Sequence, residues 1–255
     1  MKPLLIAVLC LLMPTLAVAQ TELRVFAAGA VTPTVKELVD GFTRASGVKV
    51  VITSDTAGGL QKRVMSGEPG DVIFVTAPVM EVLQKEKRIV DGTRTDLGRA
   101  LIGIAVRAGA ASPDISTVDA FKAALLRAKS VSYVNPAAGG TSGVHMEKQL
   151  QALGLAEQLK GKIVYRTQGS LVADAVATGA AELGITFTSE LQPNPGVRVV
   201  GTIPASIQLP TIYTAAVLAT NANMAAARAF LQLLASAEGA AVLKRAGLEP
   251  LSGAR

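Results

Sequence analysis

Residues 23–53, LRVFAAGAVTPTVKELVDGFTRASGVKVVIT, decide the fold. Leu23 to Phe26 is a short run with strand character, and Val48 to Thr53 is a second, rich in β-branched residues. Between them Thr32 is placed to cap a helix, Pro33 falls at its first position, and Val35, Leu38, Val39 and Phe42 recur at helical spacing until Gly47 stops it. Strand, helix and strand in succession make a βαβ unit, the connection that parallel strands require.

The alternation continues outward from that unit. Further strands are expected at Val72 to Val75, Leu101 to Val106, Val131 to Val134, Ile163 to Arg166 and Leu183 to Phe187. Helices are expected at Phe121 to Leu126, at Val144 to Leu153 closed by Gly154, at Leu171 to Val176 closed by Gly179, and at Met224 to Leu234 leading into Ala240 to Ala246. The pattern predicts an α/β protein with mostly parallel sheets flanked by helices. With no repeat of solenoid period and no low-complexity linker, any division into lobes must come from chain crossings. Two segments suit that role. One lies around Asp96 to Arg99, and the other, Pro204 to Thr211, carries two prolines and precedes a strand from Tyr213 to Leu218.

The N-terminus has the order of a secretory signal: Lys2, an apolar run from Leu4 to Met13, and small residues at Ala17 and Ala19. That run is shorter than the ~20 residues of a membrane-spanning helix. Residues 1–19 are therefore expected to be a signal peptide cleaved after Ala19, giving an exported, periplasmic protein that begins at Gln20. The single cysteine, Cys10, falls within the signal, so the mature chain is expected to hold no disulfide, cysteine nucleophile or cysteine metal site. Loss of Lys2 leaves 24 basic against 19 acidic side chains, a net charge of about +5. An excess this mild and dispersed, with no tryptophan and no basic run, points away from nucleic acid.

Four loops at strand ends are rich in glycine, alanine and hydroxyl residues and run directly into helices. They are residues 27–32, residues 54–59, residues 135–143 and Thr167-Gln168-Gly169-Ser170. In an α/β sheet such loops bring backbone N–H groups and positive helix ends together beyond the carboxyl ends of the strands, where a small anion binds. None matches GxGxxG or a P-loop ending in Gly-Lys-Ser/Thr, so dinucleotides and nucleoside triphosphates are not expected. With one histidine, His145, and no acidic cluster in these loops, neither a metal site, nor a cofactor, nor a catalytic set is expected, and the chain reads as a binder rather than an enzyme. Asp55 is assigned to helix capping.

Three stretches, Leu23-Arg24-Val25-Phe26-Ala27-Ala28-Gly29-Ala30, Phe42 through Val50, and Gly67-Glu68-Pro69-Gly70-Asp71-Val72-Ile73, together resemble the periplasmic molybdate-binding proteins of ABC transporters. Leu183-Gly184-Ile185 and the ending Ala240 to Gly247 fit the same family. The resemblance implies a type II periplasmic binding fold with two lobes: residues 20–99 plus 211–255, and residues 100–210. It also implies a small anion held between them by hydroxyl and N–H groups, and delivery to a membrane permease by a monomer. Carried over position by position, it places Gly29, Ala30, Thr56, Ala57, Gly58, Thr141, Ser142, Ser170 and Phe187 at the ligand. Ala30 and Ala57 stand where that family has serines, and Phe187 stands where it has a tyrosine. Those three changes enlarge and dry the pocket, which leaves a small organic carboxylate beside a molybdate-like oxyanion as the expected ligand. Sensing or scavenging without a transporter is the alternative role, and an exported enzyme ranks behind it.

Overall fold

The computed structural model describes residues 22–251. The signal peptide, its cleavage after Ala19 and Cys10 lie outside the described residues. Among those described, no single helix is long and apolar enough to cross a membrane.

Among the described residues eleven strands form two sheets. They are β1 (Glu22–Ala28), β2 (Lys49–Asp55), β3 (Val72–Thr76), β4 (Thr95–Ala100), β5 (Ile102–Arg107), β6 (Val131–Val134), β7 (Ile163–Arg166), β8 (Leu183–Phe187), β9 (Val197–Thr202), β10 (Thr211–Val217) and β11 (Leu248–Pro250). The first sheet has the order β11-β4-β10-β3-β1-β2 and the second β7-β6-β8-β5-β9. The fold is the expected two-lobe α/β architecture, with one refinement. Each sheet keeps a parallel trio, β3-β1-β2 or β7-β6-β8, and extends it with antiparallel strands. The added strands β4, β5, β9 and β10 flank the passages between sheets, so they enter each sheet without the helical crossover that imposes parallel pairing.

The helices are α1 (Thr32–Ser46), α2 (Ala57–Met65), α3 (Ala77–Lys85), α4 (Val118–Arg127), α5 (Thr141–Ala152), α6 (Ala156–Leu159), α7 (Gly169–Thr178), α8 (Thr188–Leu191), α9 (Met224–Leu234) and α10 (Ala237–Arg245). Helix α1 buries Val35, Leu38 and Phe42 on one face, and Gly47, at φ 71°, supplies the left-handed turn that ends it. Phe42 packs edge-on against Phe230 of α9 with centroids 4.9 Å apart, and Phe230 meets Phe74 of β3 in the same way. Each such side chain contributes ~1.5–3 kcal/mol when taken fully out of water. The expected cap at Thr32 is corrected. A 3-10 turn at Gly29–Val31 precedes α1, so Thr32 is already helical, and its hydroxyl donates back to the carbonyls of Ala27 and Ala28.

The chain passes between sheets at Leu101 and again between Thr202 and Thr211. The two passages are laced together by Gln208, whose amide accepts from the Ile102 N–H at 3.0 Å and donates to the Ile102 carbonyl at 2.9 Å. This bidentate pairing ties the second passage to Ile102, the first residue of β5 after the first passage.

Candidate functional site

Five loops at the carboxyl ends of strands converge between the lobes. Residues after β1 and β2 come from the first lobe, and residues after β6, β7 and β8 from the second. Together with Tyr213 of β10 they enclose a cavity of about 20 Å³ lined by Gly29, Asp55, Thr56, Ala57, Gly140, Thr141, Ser142, Gln168, Gly169, Phe187, Glu190 and their neighbours. Gly29, Gln168 and Glu190 also line a neighbouring groove of about 480 Å³, bounded by Thr32, Lys36, Ser54 and Ser170. A cavity of about 560 Å³ beside Arg107, Arg127 and Lys129 lies at the amino ends of β6 and β8, the opposite end of that sheet from the interlobe cleft.

Six of the nine sequence-predicted residues line the enclosed cavity: Gly29, Thr56, Ala57, Thr141, Ser142 and Phe187. Ser170 lines the groove instead. Ala30 is buried in the 3-10 turn and lines neither space, because that turn rotates it into the core. Gly58 serves as a latch between lobes. Its N–H donates to the Gly139 carbonyl at 3.2 Å, and the Thr56 hydroxyl donates to the Ala138 carbonyl at 2.5 Å. A side chain at Gly58 would press on the Gly139 backbone, so the two loops meet only because both are glycine there.

The latch occupies α2, whose Gly59 N–H is capped by the Thr56 hydroxyl at 2.9 Å. Asp55 is also committed: its carboxylate accepts from the Thr56 N–H and pairs with Arg63 at 3.1 Å, so its charge is balanced at the edge of the cavity. Helices α5 and α7 differ. Neither has a side-chain cap, and the residues that open them, Gly140 to Ser142 and Gln168 to Gly169, line the cavity. Two positive helix ends therefore face one space.

Glu190 faces the same space and went unrecognised in the sequence. It sits in the short helix α8, three residues beyond the fully buried strand β8, and its carboxyl lies between Gly29 of one lobe and Gly169 of the other. A methyl group at either glycine would overlap that carboxyl. Thr186 donates to Glu190 Oε2 at 2.5 Å, and the Ser142 and Thr186 hydroxyls are 3.1 Å apart. With its one hydrogen given to Glu190, Thr186 must accept from Ser142, so the row runs from Ser142 through Thr186 to the carboxylate. Burial pushes the Glu190 pKa up to about 7, against hydrogen bonds from Thr186 and the Phe187 backbone that favour the ionised form.

Tyr213 was missed as well. It packs edge-on against Phe187 across the lobes, with centroids 5.8 Å apart, and its hydroxyl makes no hydrogen bond among the described residues. Burial, with the Glu190 charge second, raises its pKa well above the usual value, so it stays a neutral donor. A tyrosine thus lines the cavity, contributed by the lobe opposite Phe187. His145 bonds the Ile207 carbonyl at 2.7 Å and does not line the cavity. Among the described residues no cluster of histidine, cysteine or carboxylate side chains has the makings of a metal site.

The model of the bacterial extracellular solute-binding protein family matches residues 23–249. An aconitate isomerase from Pseudomonas sp is 34% identical over 239 residues, covering 91% of this chain and 88% of that protein. The molybdate-binding protein ModA of Escherichia coli strain K12 is 27% identical over 229 residues, covering 89% and 88%. In three dimensions the periplasmic molybdate-binding protein of Azotobacter vinelandii superposes with a TM-score of 0.74 at 22% identity, over 90% of this chain and all of that one. Matched across nearly its whole described length, the chain belongs to the bacterial extracellular solute-binding proteins, and within them it is similar to the molybdate binders.

Proposed function

We propose that this chain is an exported, monomeric binding protein whose lobes, residues 20–99 with 211–255 and residues 100–210, close around a small organic carboxylate and present it to the permease of an ABC-type importer. The observation that carries the ligand class is the buried Glu190 carboxyl inside the cleft. Any anion set beside it meets repulsion unless the carboxyl takes up a proton, and a bare tetrahedral dianion has no carbon frame to cover the apolar walls at Ala57, Phe187 and Tyr213. An organic carboxylate divides its chemistry: its charged ends take the open N–H groups of α5 and α7 and the hydroxyls of Thr141 and Ser142. Its carbon frame lies against Ala57, Phe187 and the Tyr213 ring. The adjoining groove of about 480 Å³ lies within the ~300–1,000 Å³ range of small-molecule sites and has Lys36 at its rim, a cation with no ion pair among the described residues. Similarity to an aconitate isomerase adds support, since that name denotes a tricarboxylate. It also favours a second reading, in which the bound carboxylate is chemically changed.

A thermal-shift panel on the protein cleaved after Ala19 tests the ligand class. Propane-1,2,3-tricarboxylate and aconitate at ~100-fold over their dissociation constants should each add ~2.7 kcal/mol of stability. Stabilisation by molybdate and tungstate with none by any carboxylate would overturn the proposal.

A further inference from the structure

We propose that the cavity of about 560 Å³ at the amino ends of β6 and β8 is a second binding site, separate from the interlobe cleft. Its ligand class is a compact amphipathic anion: a free organic acid with one anionic group on a hydrocarbon body. The proposal is independent of the reading of the cleft.

The floor of this cavity is apolar and its rim is cationic. Val106, Ala124, Ala128, Val176, Ala181 and Leu183 line it and are buried. Arg107, Arg127 and Lys129 line it from exposed positions, and among the described residues their side chains make neither an ion pair nor a hydrogen bond. One carboxylate, Glu182, shares the lining, and its Oε2 already accepts from the Lys129 N–H at 2.7 Å. Asp114, the other carboxylate that the Arg127 charge reaches, accepts from the Ser116 N–H at 2.9 Å and lies outside the lining.

Helices α4 and α7 end at this cavity, and the negative end of a helix attracts cations, which accounts for part of the rim. Helix α7 has no basic residue in its last turn, and the Arg107 guanidinium lies against Gly179, its cap, where a methyl group would overlap it. Arg107 is thereby held at the rim. The end of α4 is served by Lys162, whose Nζ donates to the Leu126 carbonyl at 2.6 Å, so the heads of Arg127 and Lys129 are left for a ligand.

The wall formed by residues 107–113 is fixed in place. Arg198 donates to the Ser112 hydroxyl and to the Ala110 carbonyl, and the Ala108 N–H donates to the Gly196 carbonyl at 2.9 Å. A preformed space of this size falls within the ~300–1,000 Å³ of small-molecule sites. An inorganic anion would leave the apolar floor uncovered, and a neutral hydrocarbon would leave three cations without a counter-charge. An organic acid satisfies both, with its body on the floor and its charge at the guanidinium groups, which offer a planar fork of donors.

The test is titration of the ¹⁵N-labelled mature protein with octanoate, followed by amide NMR, with 1-octanol and inorganic phosphate as controls. Octanoate should shift the amides of Ala111, Ser112, Lys129, Ser130 and Glu182 and leave those of Gly29, Thr56 and Gly169 in place. Saturating the cleft with propane-1,2,3-tricarboxylate should not change that response. Both controls should bind at least ~10-fold more weakly than octanoate. Arg107→Gln combined with Arg127→Gln should lose octanoate affinity by a similar factor while keeping the dispersed spectrum of a folded chain. Octanoate shifts absent from this face or confined to the cleft would overturn the proposal. So would 1-octanol binding as tightly as octanoate to wild type, a comparison that needs no variant to fold.

Discussion

A single carboxyl sets the chemistry of the cleft and leaves a mark on stability. Glu190 has a pKa of about 7 in the folded chain against an ordinary 4.5. Between those values the native state binds more protons than the unfolded chain, so this group's effect is to make stability fall as pH rises through that window. Below it the group is protonated in both states and costs nothing. Glu190→Gln is therefore expected to be more stable than wild type above pH ~7 by at most ~3 kcal/mol, with the difference vanishing toward pH ~4.5. Urea unfolding at several pH values checks the sign. Thr56, Thr141 and Ser142 were legible as residues of the cavity wall because each stands where a strand gives way to a helix. Glu190 was not, because a carboxyl in a short helix looks solvated until the fold brings Gly29 and Gly169, far apart in the chain, to either side of it. Tyr213 was hidden for the same reason: its partner Phe187 reaches it only across the lobes.

At the scale of elements, the helix that makes the latch and the helices that open onto the cavity are separated by their caps. Thr56 uses one hydroxyl to cap α2 and to reach the Ala138 carbonyl of the other lobe. Thr56→Val should cost ~0.5–2 kcal/mol through the lost cap and should weaken ligand binding by loosening the closed form. Thr56→Ser should restore both, as read by chemical denaturation and titration on the same samples. The strands that alternate with clear amphipathic helices were readable from hydrophobic runs. β4 and β11 were not. β4 reads Thr-Asp-Leu-Gly-Arg-Ala with an interrupted burial pattern, and β11 is three residues long, so both are strands because β10 and its neighbours pair with them rather than by their own propensity.

As a whole molecule, the chain closes two mixed sheets about passages bound to each other at Ile102 and Gln208, and places the cleft at the carboxyl ends of the parallel strands. In the proposed carboxylate reading closure sets an anion beside Glu190, and binding then draws a proton onto that carboxyl. The most direct measurement is calorimetry of propane-1,2,3-tricarboxylate at pH ~8, a unit above the Glu190 pKa of about 7, in two buffers of different ionisation enthalpy, on wild type and Glu190→Gln. A carboxylate site at this carboxyl predicts one bound ligand per chain with net proton uptake in wild type and little or none in the variant. Binding with identical proton exchange in both proteins, or heat from molybdate alone, would contradict it.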